Sequence, residues 1–277
     1  MNIHLSDQPF TQRQLRVGEL LKQLLGNLFL KEEVALPNIN TRVITVSEVR
    51  MSPDLKHAKV FFMPLGGKNS EFILQSLINH SGLIKKEMSR SWKNKFGYQL
   101  GAKYYNAFNI KNLLLQLEYN HVRPYVYSHS EAITNYGHNN QSLGHQWGGN
   151  FKEFIAIARY HKGRYFADAK VTFGERGLDF NNAIDSFNYG SNIYLSYNEN
   201  RPYDTGVNIG QGNKTSIFIA DLQAGYLINP STNMKLFGSF IYRDFNPATE
   251  TATAIKENTT WFSVGLRCDI FNWYFDY

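Results

Sequence analysis

All 17 tyrosines of this 277-residue chain lie after residue 97. Charge breaks at the same place: residues 1–97 carry 14 Lys+Arg against 8 Asp+Glu, whereas residues 98–277 carry 15 against 15, so the net charge of +6 belongs to the first third. A single evolved core offers no physical reason to exclude one residue type from a third of its length. The chain is therefore expected to hold two modules of different origin and solvent, residues 1–96 and 97–277, each long enough to bury a core of its own.

Cysteine use sets few limits. Cys268 is the single cysteine, so neither an intramolecular disulfide nor a cysteine-based zinc cluster can be built. The opening MNIHLSDQPFTQRQ lacks the charged start, apolar run and cleavage site of a secretory signal, which makes a cytoplasmic chain the expectation. No stretch approaches ~18 consecutive apolar residues, so no membrane-spanning helix is expected; a membrane β-barrel stays open because its strands score weakly on hydropathy.

In the first module, Thr11 precedes Gln14 by three positions, flanked by Phe10 and Leu15, which predicts a capping box with a hydrophobic staple. Val17, Leu20, Leu21, Leu24 and Leu28 then recur at helical spacing, giving a helix over about 12–31. Two β-branched or aromatic runs, 42–51 and 58–63, flank Ser52-Pro53-Asp54-Leu55 and read as an antiparallel hairpin. Pro64-Leu65-Gly66-Gly67 ends it. Phe72, Ile73, Leu74, Leu77 and Ile78 mark a second helix, which Ser81-Gly82 interrupts before the spacing resumes at Leu83, Ile84, Met88 and Trp92. Lys85, Lys86, Arg90, Lys93 and Lys95 give this kinked pair a basic face. Such a face suits phosphate neutralisation; it also suits an ordinary solvated helix surface.

These residues carry a resemblance. RQLRVGELL at 13–21, VITVSEVRMSPDLKHAKV at 43–60, MPLGG at 63–67 and NHSG at 79–82 resemble ribosome-binding factor A over residues 10–96. The resemblance implies a KH-type α+β fold, an RNA-binding role in maturation of the small ribosomal subunit, and a helix kink at Ser81 and Gly82. It also implies a third strand after the kinked helix, which is absent after Phe96, so a two-stranded sheet of marginal stability is expected. The residues expected to contact phosphate in small-subunit RNA are Arg13, Arg16, Arg50, Lys56, Lys59, Lys85, Lys86, Arg90 and Lys93. Arg50, Lys56, His57 and Lys59, beside the hairpin turn, also fit edge-strand charge that prevents aggregation.

The second module follows period two. Leu113, Leu115, Leu117 and Tyr119 alternate with Leu114, Gln116, Glu118 and Asn120, and Tyr165 to Phe173 alternates likewise. His161-Lys162-Gly163 signals a tight hairpin. Residues 215–228 and 234–243 are each long enough for a tilted membrane strand of ~9–11 residues. The chain ends on alternating Phe271, Trp273, Phe275 and Tyr277. A soluble sandwich also alternates. Aromatic strand ends, and short connections alternating with long Asn-, Gly- and Ser-rich ones at 128–150 and 174–213, favour the all-β antiparallel meander of a partial outer-membrane barrel. The wording of residues 98–129, 136–150 and 236–247 is similar to the C-terminal part of RemB, a Bacteroidota gliding-motility protein of the outer membrane; the resemblance implies outer-membrane lipid or surface proteins as partners.

No catalytic signature is present. His121, His129, His138 and His145 match no zinc spacing and read as surface histidines. Residues 206–215 fail as a phosphate loop because Asn213 separates Gly212 from Lys214 and a strand follows. Asp168, Glu175 and Asp179 form no recognisable acid/base pair. The expectation is a non-enzymatic chain with no cofactor, metal site or small-molecule substrate. Two resemblances meeting at Phe96-Gly97 without a linker point to a chimera from a misjoined frame or assembly; the alternative is a cell-surface gliding or capsule-associated protein in which the N-terminal part is incidental.

Overall fold

The first helix, α1 (Gln12–Leu30), is closed at its start by the expected box: Thr11 N–H donates to Gln14 Oε1 at 2.9 Å, and Gln14 N–H donates back to Thr11 Oγ1 at 3.3 Å. These contacts satisfy two of the donors that a helix start leaves without partners. The computed structural model describes residues 10–67, 69–139 and 141–268. They divide into two units: one runs to Asn94 and takes in Tyr203–Val207, and the other holds Lys95–Pro202 and continues from Asn208.

In the first unit, α1 lies on strand β1 (Ile44–Met51), which pairs antiparallel with β2 (Ala58–Pro64). Two features allow the close approach. Gln14 Nε2 donates to Met51 O at 3.0 Å, and Gly18 faces Val49 so closely that a Cβ there would lie 2.5 Å from its carbonyl oxygen. The hairpin turn is locked by Leu55 N–H to Ser52 O at 2.9 Å and His57 N–H to Ser52 Oγ at 3.0 Å. Leu28, Phe29 and Val34 pack with Ile44, Val46 and Met51 in one buried cluster that Ile73 and Ile84 complete from the paired helices. Each such side chain contributes roughly 1.5–3 kcal/mol of transfer free energy.

Those helices are α2 (Ser70–Asn79) and α3 (Ser81–Ser89). The break falls at His80, whose φ of −102° and ψ of 14° leave the helical region. Ser81 and Gly82, expected at the kink, instead open α3. His80 N–H donates to Ser76 O at 2.9 Å, and the ring Nδ1 lies 2.9 Å from the same carbonyl, so backbone and side chain of the break residue both meet the end of α2. Two boundaries also move: residues 41–43 form a 3-10 turn before β1, and α3 stops at Ser89, short of Trp92.

Sequence reasoning assigns Tyr203–Val207 to the second module, yet this segment packs in the first. Trp92 N–H donates to Asp204 O at 3.1 Å, and Val207 N–H donates to Arg90 O at 2.8 Å. Lys31 pairs with Asp204, the Thr205 hydroxyl donates to Glu33, and Val207 is fully buried.

The second unit is built on one antiparallel sheet: β3 (Gly97–Tyr105), β4 (Leu113–Val122), β7 (Phe151–Lys162), β8 (Tyr165–Leu178), β9 (Asn213–Asn229), β10 (Met234–Pro247) and β11 (Glu257–Arg267) pair in chain order. A two-residue pair, β5 (Gly137–His138) with β6 (Gln141–Ser142), sits in the long β4–β7 connection. Among the described residues β3 and β11 do not pair with each other, so the sheet is open and no closed barrel forms. The expected aromatic alternation at 271–277 lies outside the described residues. No described helix is long and apolar enough to cross a membrane.

The connections segregate by length. Residues 106–112, 163–164 and 230–233 turn at one end of the sheet, and residues 123–150, 179–212 and 248–256 loop at the other. The tight turn at 163–164 uses Gly163 at φ 61°. The long loops are structured, not merely polar. Fully buried Asn150 donates to Gly177 O and Gln211 O at 3.0 Å and accepts from Gly210 N–H at 2.8 Å. Tyr125 donates to Asn188 O at 2.7 Å. The small core of Val122, Trp147, Phe151 and Ile217 lies at this end. Towards the β11 edge, Trp261, Phe262, Val264 and Leu266, neighbours on both faces, are all more than 60 % exposed.

Candidate nucleic-acid interface

The expected phosphate-contacting cations all fall in the first unit, but the fold treats them differently. Arg50 and Lys59 are cross-strand partners on β1 and β2. Glu48, two residues before Arg50, grips it with hydrogen bonds of 2.7 and 3.0 Å. Those bonds hold the Glu48 carboxyl below the ordinary carboxylate range and raise the Arg50 guanidinium. Arg50 and Lys59 also stand over the Phe61 ring, at 4.8 and 5.4 Å from its centroid.

Arg90 is likewise engaged. Its guanidinium donates to Glu87 at 2.9 Å and to Gly206 O at 3.3 Å, and its backbone carries the bond to Val207. It braces α3 and the returning segment, with Glu87 already on its guanidinium.

Arg13 and Arg16 are exposed near the start of α1, Lys85 and Lys86 are exposed on α3, and Lys93 lies exposed 5.9 Å from the Trp92 ring. None of these, nor Lys56 or Lys59, forms an ion pair among the described residues. The structure brings Lys56 and Lys85 together: with His57 they line one groove of about 500 Å³ whose apolar lining includes Leu25, Phe29, Leu77 and Ile84. The hairpin supplies Lys56 and His57, and α3 supplies Lys85. The loop is shaped for this, because Asp54 accepts from the Ser52 hydroxyl and from Lys56 N–H, the two bonds that lower its carboxyl and fix the backbone under Lys56.

Sequence reasoning missed Glu48 and Glu87 as neutralising partners, and Phe61 as a platform. Period two puts Glu48 and Arg50 on the same side of a strand, and helical spacing puts Glu87 beside Arg90, so both pairs were open to discovery. Nothing local marks His57 as a groove residue.

Comparison with known proteins places this arrangement. The sequence model of the ribosome-binding factor A family matches residues 13–100, ending four residues into β3. Ribosome-binding factor A of Pelagibacter ubique is 51% identical over 83 residues, covering 30% of this chain and 68% of that protein. The protein of the same name from Phenylobacterium zucineum is 38% identical over 99 residues, covering 36% of this chain and 68% of its own length. That of Rhodopseudomonas palustris is 37% identical over 111 residues, 39% and 82% of the two chains. Through this N-terminal region, the chain belongs to the ribosome-binding factor A family.

Proposed function

We propose that the first unit is a non-enzymatic RNA-binding assembly factor that acts in the cytoplasm on the small ribosomal subunit during its maturation. The name of its relatives, ribosome-binding factor, supports the partner. The observation that carries the chemistry is the groove shared by Lys56, His57 and Lys85. Two cations without ion-pair partners flank an apolar floor there, which suits a phosphate backbone whose neighbouring base or sugar covers the apolar surface. Arg13, Arg16, Lys59, Lys86 and Lys93 extend the positive surface.

A salt titration of the chain against small-subunit ribosomal RNA tests this reading. Each phosphate contact released should remove roughly 0.7–0.9 from the slope of log K against log salt. Lys56→Ala and Lys85→Ala are each expected to flatten the slope by about that amount. A slope near zero for the parent chain, or variants with the parent slope, would defeat the assignment.

A second reading concerns the open sheet, and a specific observation favours it. Short turns gather at one end and long loops at the other, and apolar side chains near β11 are exposed on both faces. Large uncovered apolar surface requires lipid or a partner. We propose that this unit is part of the wall of an outer-membrane gliding-motility or surface barrel, and that its junction with the first unit is a chimera. Sequencing the source DNA across residues 90–105 tests the join: an uninterrupted single frame in independent isolates would overturn it.

A further inference from the structure

At the loop end of the second unit, a cavity of about 580 Å³ is lined by Gln146, Arg176, Asp179, Asn181, Asn192 and Tyr194 among others. It is separate from the cationic groove and plays no part in the reading given above. Its size falls in the range of small-ligand sites, but its lining is unusual for one, since amides and hydroxyls outnumber apolar side chains.

Arg176 is the informative residue. It stands near the end of β8 with Phe151 and Thr215 as its neighbours across the sheet. Its Nε is sealed from solvent without a hydrogen-bond partner, and no carboxylate comes within ion-pair distance of it among the described residues. Asp179, which also lines the cavity, is 5% exposed and spends one oxygen on Tyr189 N–H at 2.7 Å. Asp179 acts on the Arg176 charge only from beyond ion-pair distance; a largely buried guanidinium without a directly bonded anion is costly, and supplying one recovers part of that cost. A single unpaired cation matches a single negative charge and not a polyphosphate. The surrounding amides both donate and accept, as sugar hydroxyls do, and the remaining Asp179 oxygen can accept from a hydroxyl. Tyr194, 45% exposed, presents a ring face of the kind on which a sugar ring packs.

We propose that this cavity binds a carboxylated sugar, with Arg176 taking the carboxylate and the amide side chains taking the hydroxyls. Calorimetric titration of the full chain with D-glucuronate, D-glucose and acetate tests it. Glucuronate is expected to saturate one site, with glucose and acetate each at least tenfold weaker. Arg176→Gln should erase the preference for glucuronate over glucose. Should that variant fail to fold, Gln146→Ala, at an exposed lining position, is expected to weaken glucuronate several-fold in a folded chain. Absence of saturable glucuronate binding would overturn the proposal. So would acetate binding as tightly as glucuronate, which would mark a site for a bare anion, or a Gln146→Ala chain binding like the parent.

Discussion

Glu48 occupies the Nε–Nη2 edge of the Arg50 guanidinium, one edge that a phosphate would use, with hydrogen bonds of 2.7 and 3.0 Å. Arg50 is thereby neutralised on the strand that carries it, while Lys59 opposite it keeps its charge free. Replacing Glu48 by Gln should release Arg50 for RNA. The expected result is tighter binding at low salt and a log K against log salt slope steeper by about one contact. Filter binding or fluorescence anisotropy across a salt series measures both, and unchanged affinity would show that Arg50 lies outside the interface.

Gly18 admits β1 against α1. A methyl group there would meet Val49 O at 2.5 Å, which forces the helix off the strand and strains the Gln14–Met51 bond one turn earlier. Gly18→Ala is expected to destabilise the first unit by about 1–3 kcal/mol despite the better helix propensity of Ala. Chemical denaturation followed by far-UV circular dichroism measures it; a stabilised variant would mean that the close approach does not exist.

Thr11→Ala removes the reciprocal cap and should cost about 1 kcal/mol in the same experiment. The two losses should not be independent, because Gln14 is both the partner of Thr11 and the donor to Met51.

Asn150 joins three separate stretches of the second unit through one side chain, reaching Gly177, Tyr189 and the adjacent pair Gly210 and Gln211. Asn150→Ala leaves three carbonyls and one N–H without that partner. A loss of about 2–4 kcal/mol is expected, given a penalty of about 1–3 kcal/mol for each group left unsatisfied and partial relief by water. Hydrogen exchange should show lost protection at 176–178 and 210–212 together; loss confined to one stretch would contradict the shared role.

Lys95 has its ammonium group pulled down to about 8, by burial first and then by the charge of Arg201. The same group donates to Ser128 O at 2.7 Å and stands 4.0 Å from the Tyr197 ring centroid. The folded value lies below the ordinary 10.5, so the unfolded chain binds the extra proton more tightly between those pH values. Stability of the second unit should therefore rise as pH climbs from about 8 towards 10.5. The gain is on the order of 1 kcal/mol, below the full conversion of about 1.36 kcal/mol per pKa unit because the side chain stays partly solvated. In Lys95→Met this rise should disappear from melting curves taken across that range; a parent chain whose stability is flat there would contradict the burial.

Local signals carried much of the architecture. The Thr11–Gln14 box, the hairpin about Ser52–Leu55 and the pairing of 215–228 with 234–243 follow from short-range chemistry, whereas β8 runs on past the expected Phe173 to Leu178, into a stretch expected to be loop. The kink shows where such reading slips. A Ser-Gly pair marks weak helix propensity, but the break sits one residue earlier, at His80, whose ring meets the Ser76 carbonyl beside its own N–H. In the long loops, composition suggested solvated polar chain, whereas Asn135, Asn150 and Asn188 are buried connectors. A side chain that spans stretches tens of residues apart has no local signature. The same holds for His145, read as a surface histidine: it lies 2.9 Å from the buried carboxylate of Glu153, which Asn120 also supports at 2.9 Å. Of the basic residues, position alone could not separate Lys56 and Lys85, which share a groove, from Arg90, which braces its own helix end.

The return of Tyr203–Val207 to the first unit sets a schedule for synthesis. Arg90 and Gly206 are 116 positions apart, so the α3 end cannot acquire these partners until the intervening chain has left the ribosome. At translation speeds of about 5–20 residues per second, that interval is roughly 6–23 s. For that time Trp92 N–H and Arg90 O stand open on a nascent domain that has already gathered its helices and hairpin. A chain with a pause site after residue 100 would hold this half-finished edge longest, and chaperone capture would be concentrated in that window.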